Sequence, residues 1–145
     1  MAGIKINTGV IRLEVDCDGV KDQISFNPND VVFMENIYRL MGELQKKKDE
    51  YAAVEERLNS NQDTDENGIP VNMKERLSLI LDICSYIKGQ IDGIFGEGTS
   101  KKLFGDANTL DMFEQFFDGI TPYIQSARES KLSQYKNSNS RNVML

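Results

Sequence analysis

The feature that most constrains the fold is a long apolar stripe in the second half of the chain. It follows alternating steps of four and three residues: Met73, Leu77, Ile80, Cys84, Ile87, Ile91 and Ile94. Because an α-helix has 3.6 residues per turn, this spacing places all of these side chains on one face. Leu79, Ile83 and Tyr86 widen the face. The pattern predicts a central core helix from about Met73 to near Gly96, where FGEG supplies glycines that stop a helix.

A different pattern, simple alternation, precedes this helix near the start of the chain. Apolar residues alternate roughly from Val10 to Cys17, Asp18-Gly19 marks a turn, and alternation resumes as far as Phe26. This pattern predicts a β-hairpin over residues 10–26. A hairpin alone is marginally stable in water, so it must pack on the helices that follow.

A long helix is predicted between the hairpin and the central helix. Asn27 or Asn29 can cap it, Pro28 suits its first turn, and Asp30 complements the helix dipole. The predicted helix runs from about Asn29 to Asn59. Its apolar stripe consists of Ile37, Leu40, Leu44, Tyr51, Val54 and Leu58, with Lys47 as the polar member of the repeat.

This stripe has two interpretations. An amphipathic helix can bury such residues against the core of its own chain. A repeat of about 3.5 residues also suits a coiled-coil contact, in which the six apolar residues would form a self-association surface between copies. Both interpretations stay open at the level of sequence.

The last third of the chain predicts a short helical turn and a final helix. The turn covers Thr99–Phe104, and the final helix begins at about Leu110, capped by Asn108 or Thr109. Pro122 should kink or interrupt that helix, because proline removes a backbone donor. Beyond residue 132 the sequence is too polar to fold alone, and residues 133–145 are predicted to be a mobile polar tail.

Four apolar residues of the final helix are candidates for a binding site: Phe113, Phe116, Phe117 and Ile120. Phe116 and Phe117 are neighbours and cannot share one narrow helix face. Either the helix is deeply buried, or one ring serves a partner-binding groove, since exposed aromatic residues mark interaction sites.

These elements predict one α+β domain over residues 1–132 that is mostly helical. The hairpin at 10–26 should pack on a helical body at 29–127, a bundle of about three to four helices with one long member. A chain of 145 residues buries enough surface to need no disulfide or metal.

Composition limits the classes of function. A net charge of −6 with short basic runs argues against a nucleic-acid partner. The chain has no histidine, the commonest general base and transition-metal ligand, and Cys17 and Cys84 lack the spacing of a zinc site. No signal peptide and no membrane-spanning run is evident. We therefore expect a non-enzymatic cytoplasmic protein with no cofactor and no membrane contact.

One stretch resembles a calcium site, because residues 63–68 read DTDENG, the first half of an EF-hand loop. The twelfth position, where the ion needs a bidentate Glu, is Lys74, and Glu75 comes one residue late. We favour a plain loop followed by a capping box, in which Asn72 caps the next helix and Glu75 reaches back to it. No metal ligands are predicted, and a calcium-binding module is the weaker alternative.

Two segments, ISFNPND after the hairpin and IDGIFGEGTSKKLFGDANTLDMFEQFFDGITPYI, give the chain a family resemblance. With the acidic helical body between them, they resemble tail assembly chaperones from phages and prophages of Gram-positive bacteria. The resemblance covers most of residues 10–127 and rests on the layout and on FGEGTSKKLFG. It implies a protein that binds the tape measure protein, keeps its hydrophobic helices soluble, and helps the tail tube protein polymerise around it. The family has no catalytic residues to carry over. The alternative is a structural or regulatory phage protein that forms homo-oligomers through its long helix.

Overall fold

The computed structural model describes the backbone of residues 2–144 and the side chains of residues 2–129. Its elements are β1 (Ile11–Cys17), β2 (Val20–Phe26), α1 (Val31–Asn59), α2 (Met73–Phe95), α3 (Thr99–Phe104) and α4 (Leu110–Met144). A hairpin followed by helices is the predicted α+β architecture, so the predicted fold class is confirmed.

The hairpin is antiparallel, and its turn explains its register. Asp18 and Gly19 both have positive φ angles, 53° and 87°, as a two-residue type I′ turn requires. Asp16 helps to close the turn, because its Oδ1 accepts a hydrogen bond from the Gly19 N–H at 2.9 Å. This register pairs Leu13 with Ile24 on the face that packs against the helices.

Helix α1 begins one residue after an aspartate cap. The Asp30 carboxylate accepts hydrogen bonds from two backbone N–H groups of the first turn, at 2.8 and 3.2 Å. The prediction of a cap at Asn27 or Asn29 is therefore wrong. Asn27 instead accepts a hydrogen bond from the Asn29 N–H and donates one to the Thr8 carbonyl, which ties the lead-in segment to the hairpin.

The core is built around one connected set of aromatic rings from every element except β1. All seven phenylalanines belong to it, with centroids of neighbouring rings 5.3–5.9 Å apart: Phe26, Phe33, Phe95, Phe104, Phe113, Phe116 and Phe117. Most of the pairs meet edge to face, the geometry that aromatic quadrupoles favour. The rings hold the hairpin and the helices together in a single body.

Helix α2 is the predicted central helix, with the predicted start and end. Ile83, Cys84, Ile87 and Ile91 are fully buried, whereas Leu77 is 53% exposed. The prediction that the whole stripe lies in the core is therefore wrong at Leu77. The buried part of α2 packs on the body, and its first turns extend past it.

The first half of α2 and the second half of α1 form what we call the outer hairpin, residues 48–82. Leu58 is the one fully buried large apolar side chain within it. Polar contacts tie its two helices together: Arg57 pairs with Glu75 at 2.7 Å, and Arg76 donates to the Asn59 side chain at 2.9 Å. This part of the fold consequently leaves apolar side chains open to solvent.

The predicted capping box at the start of α2 is wrong. Asn72 makes no side-chain cap for α2, and its Nδ2 instead donates to the carbonyls of Leu58 and Asn61 at the end of α1. Glu75 is engaged by Arg57. The last carbonyls of a helix lack partners within the helix, and here the next element supplies the donor.

Helix α3 has the predicted bounds and is joined to α2 by a buried contact. The Asp92 carboxylate accepts hydrogen bonds from the Ser100 backbone N–H at 2.7 Å and from the Ser100 hydroxyl at 3.1 Å. Ser100 is 5% exposed, so these bonds satisfy polar groups that water does not reach.

Helix α4 is longer than the sequence predicts. Thr109 caps it as expected, accepting from the Met112 N–H at 3.3 Å, and the helix continues through Pro122 without interruption. It ends at Met144, beyond residue 127, where the predicted helical body ends. Mobility of residues 133–145 stays a prediction, and the side chains of this segment lie outside the described residues.

Candidate functional site

The structure places the four predicted partner-binding residues in the core. Phe113, Phe116, Phe117 and Ile120 are 0%, 7%, 3% and 2% exposed. Both neighbouring rings are accommodated, because Phe116 packs on Phe95 and Phe104 while Phe117 lies against Phe116. The folded chain offers none of these side chains to a partner, and binding through them would require α4 to leave the body.

The predicted self-association stripe also packs within the chain for most of its length. Ile37, Leu40, Leu44 and Leu58 are 0%, 1%, 6% and 4% exposed, while Tyr51 and Val54 are half-buried. The first three belong to the same core as α2. The interpretation of one amphipathic helix on its own core accounts for them, and only Tyr51 and Val54 face outwards in part.

Exposed apolar residues gather instead on the outer hairpin. Ile69, Val71, Leu77 and Leu81 are 49%, 53%, 53% and 49% exposed. Together with Asp65, Pro70, Met73, Lys74 and Ser78 they line one open groove of about 680 Å³, which we call the α2 groove. A shared groove distinguishes these residues from scattered surface apolar residues, which need no explanation.

The loop between α1 and α2 forms one wall of the α2 groove. The chain doubles back within this loop, and two backbone hydrogen bonds close it. The Asp65 N–H donates to the Ile69 carbonyl at 2.8 Å, and the Val71 N–H donates to the Asp63 carbonyl at 3.0 Å. Gly68 reverses the chain with a φ of 77°, a conformation that glycine adopts without strain. These bonds hold Ile69 and Val71 beside the helix.

Helix α2 forms the other wall. Leu77 and Leu81 are four residues apart and so lie one above the other on one helix face. Leu77 lies seven residues before Cys84, on the same face as the buried stripe, and both leucines reach solvent because the fully buried core residues of α2 begin only at Ile83.

A second groove of about 590 Å³ lies on the other side of the outer hairpin. It is lined by Val54 and Leu79 among charged side chains, and it shares Val71, Lys74 and Ser78 with the α2 groove. The two grooves therefore meet at this shared ridge, and both sides of the outer hairpin are open.

The surroundings of the α2 groove are mainly acidic. Residues 61–67 read NQDTDEN, so the loop carries Asp63, Asp65 and Glu66 and no basic residue. All three acids are exposed, and Lys74 is the basic residue in the groove lining. The groove thus combines an apolar floor with a negatively charged wall.

Sequence reasoning missed this site, although a signal was present. Between residues 77 and 83, five of seven positions are apolar: Leu77, Leu79, Ile80, Leu81 and Ile83. One face of a helix cannot bury that many residues over two turns. The surplus indicates an apolar surface wider than the stripe, and Leu81, which lies beside the stripe, is part of that surplus.

The calcium-like loop is explained by its own hydrogen bonds. The Asp65 Oδ1 accepts from the N–H groups of Asn67 and Ile69 at 2.8 and 3.0 Å, which turns this carboxylate towards its own backbone. Among residues 2–129, no group of three or more His, Cys, Asp or Glu side chains is placed to hold a metal ion. Lys74, at the position where an EF-hand needs its Glu, lines the α2 groove.

The titratable groups with shifted pKa values lie apart from one another and from the α2 groove. A hydrogen bond to Glu43 raises the pKa of Tyr86, whose ring also lies under the Lys47 ammonium at 4.4 Å. A hydrogen bond from Lys101 lowers the pKa of Asp106 on the surface. Both of these shifts have a local cause in one ionic or hydrogen-bonded pair, whereas burial raises the pKa of the Cys84 thiol.

Within the part of the chain described here, no helix combines the length and the apolar character needed to cross a membrane.

Comparison with known proteins gives one assignment. The chain belongs to a family of unknown function, DUF6673, whose model matches residues 19–143. No curated protein and no solved structure matches the chain.

Proposed function

We propose that this member of the DUF6673 family is a non-enzymatic tail assembly chaperone of a phage or prophage. It holds an apolar helix of the tape measure protein in the α2 groove and keeps that protein soluble until the tail tube protein assembles around it. The observation that carries the proposal is the set of four half-exposed apolar side chains in one groove: Ile69, Val71, Leu77 and Leu81.

The groove suits a helix as its occupant. Leu77 and Leu81 present two anchors one turn apart, and the loop wall with Ile69 and Val71 runs beside them. A partner helix recognised in this way lays its own i, i+3 and i+4 apolar residues into the groove. A tape measure protein with long hydrophobic helices, as the resemblance implies, offers many such segments.

The charges around the groove select among helices. An acidic wall formed by Asp63, Asp65 and Glu66 favours a partner with Lys or Arg beside its apolar stripe. Surface charges act within a Debye length, so association should be faster at low ionic strength. The apolar floor supplies the affinity, and the charges supply orientation and rate.

The lining of the groove supports a non-catalytic role. Its side chains are mostly apolar. Its charged members, Asp65 and Lys74, are exposed to solvent and form no ion pair with each other. A solvated, open surface of this kind binds another surface by removing apolar area from water.

The test is co-expression of the full chain with the tape measure protein of the same phage. The wild-type chain should co-purify with that protein and raise its soluble fraction. The double variant Leu77→Ser with Leu81→Ser should lose co-purification, with a melting temperature close to that of the wild type because both residues are half exposed. A matched control is Val20→Ser with Val32→Ser, which removes exposed apolar side chains outside the groove.

Two failures have different meanings. If the wild type neither binds nor solubilises the tape measure protein, the chaperone proposal is wrong. If the wild type binds and the double groove variant binds equally well, the function stands but the α2 groove is not its site.

A further inference from the structure

The first residues of the chain have the pattern of a strand but belong to no sheet. In the segment 2–8, which we call the arm, Ile4 and Ile6 alternate with Lys5 and Asn7. Ile4 is 90% exposed and Ile6 is 76% exposed. Within the described part of the chain the arm makes no backbone–backbone hydrogen bond. Two exposed isoleucines on one side of an extended segment favour association with a sheet.

The root of the arm is fixed in place. The Thr8 carbonyl accepts a hydrogen bond from Asn27 Nδ2 at 2.9 Å. Gly9 has a φ of 98°, and a Cβ there would lie 2.2 Å from Asn29 Nδ2, so the backbone passes very close to this side chain. Both contacts lie beyond Ile11 and Phe26, the last paired residues of the hairpin. Pro28, two residues after Phe26, has no N–H with which to extend the pairing. The arm would have to break this root to turn back along β1 of its own chain.

The hairpin has an incomplete side that matches such an arm. The sheet contains two strands, so β1 has an outer edge. Ile11, Leu13 and Val15 on β1 are only half-buried, whereas Ile24 and Phe26 on β2 are each 5% exposed. The core face of the sheet is therefore uncovered along the outer edge of β1.

A crevice of about 470 Å³ continues this uncovered surface. It lies between the end of β1, from Val15 to Asp18, and helices α3 and α4. Its apolar members are Leu103, Phe104, Met112 and Phe116. Leu103, Phe104 and Phe116 are already almost fully buried, so branched aliphatic side chains entering beside β1 would remove mainly the half-buried Val15 and Met112 from water.

We propose that the arm of a second copy of this chain adds as a third strand to the outer edge of β1. Ile4 and Ile6 then lie against the uncovered core face and the crevice. Strand alternation puts Lys5 on the opposite face, beside Glu14 and Asp16 of β1, where the charges are complementary. The partner is a second copy because each chain carries both halves of the contact and the fixed root keeps the arm from its own edge. This contact is separate from the α2 groove and does not depend on the chaperone proposal.

The first test is the oligomeric state of the full chain, measured by size-exclusion chromatography with light scattering over a range of concentrations. The wild type should form a concentration-dependent oligomer. The double variant Ile4→Asn with Ile6→Asn should be monomeric, whereas Val32→Asn, an exposed apolar residue on α1, should behave as the wild type. A wild type that is monomeric throughout, or an oligomer that survives the arm substitutions, overturns the proposal.

The second test locates the arm through Cys17, which lines the crevice. Ile4→Cys and Ile6→Cys are made separately and oxidised mildly. At least one should give a disulfide-linked dimer, and the dimer should be lost when Cys17→Ser is added. Cys84 is fully buried and should not compete. A disulfide within one chain would place the arm on its own edge, and a dimer that persists without Cys17 would join arm to arm; either result overturns the proposal.

Discussion

Phe116 packs against three other aromatic rings, of which only Phe117 is its neighbour in the sequence. Its centroid lies 5.6 Å from that of Phe95, 5.8 Å from that of Phe104 and 5.5 Å from that of Phe117. The ring is 7% exposed and connects α4 to both α2 and α3. Its role is to hold three helices together.

Replacing this ring should destabilise the fold. Phe116→Ala should lower the free energy of unfolding by about 3–5 kcal/mol, because it removes buried apolar area and leaves a cavity. Tyr123→Ala, on the same helix at 43% exposed, should change it by no more than about 0.5 kcal/mol. Urea denaturation measures both. An unchanged stability together with lost binding to the tape measure protein would instead make Phe116 a partner-binding residue.

At the scale of elements, the start of α1 depends on a single carboxylate. Asp30 follows the Asn-Pro-Asn segment and satisfies two N–H groups that have no partner within the helix. Asn29 is also a good capping residue by type, yet the cap falls one residue later.

The cap can be tested by substitution. Asp30→Ala should reduce stability by about 0.5–2 kcal/mol, and Asp30→Asn should reduce it less because the amide keeps an acceptor oxygen. Asn29→Ala should have a small effect, since no cap bond comes from its side chain. Thermal and urea denaturation followed by circular dichroism give the comparison. An equal loss for Asp30→Ala and Asn29→Ala would show that the cap is shared.

The open grooves are also a property of elements. The fully buried core residues of the two helices lie at one end of the pair, from Phe33 to Leu44 on α1 and from Ile83 to Ile91 on α2, and the other halves fully bury only Leu58. A pair of helices can bury only one stripe of each. Leu77, a member of the stripe that lies before its buried part, and Leu81, which lies beside the stripe, are left at the surface.

For the molecule as a whole, the burial of Cys84 makes the stability of the fold depend on pH. It is 0% exposed, and burial raises the pKa of its thiol, an effect that Lys88 partly offsets. The folded state therefore keeps this thiol protonated at a pH where the unfolded chain begins to lose the proton.

This shift predicts a loss of stability at alkaline pH. The contribution is complete below the unfolded pKa, about 8.5, and falls as pH rises towards the raised folded pKa. Unfolding free energies measured on either side of that pKa should thus differ more for the wild type than for Cys84→Ala. Cys17→Ala serves as the control and should keep the wild-type difference. Equal differences for all three chains would show that Cys84 titrates alike in both states.

The sequence by itself determined the elements and several of their ends. The stripe from Met73 to Ile94 gave the bounds of α2, Asp18-Gly19 gave the hairpin turn, and the glycines around Thr99–Phe104 gave α3. These features depend on helical period, strand alternation and turn geometry, and each of these is determined by residues that are close together in the sequence. The α+β class followed from them.

Only the tertiary structure decided which apolar residues are covered. Phe116 looked able to lie in a core or at a surface, and Leu77 belonged to the predicted core stripe, yet the fold buried the first and exposed the second. Asn72 had the sequence of a cap for α2 but bonds to the end of α1. Burial and long-range hydrogen bonds depend on where the neighbouring elements end in space. The candidate site, which lies where α1 and α2 extend past the rest of the body, could therefore be located only once those elements were packed.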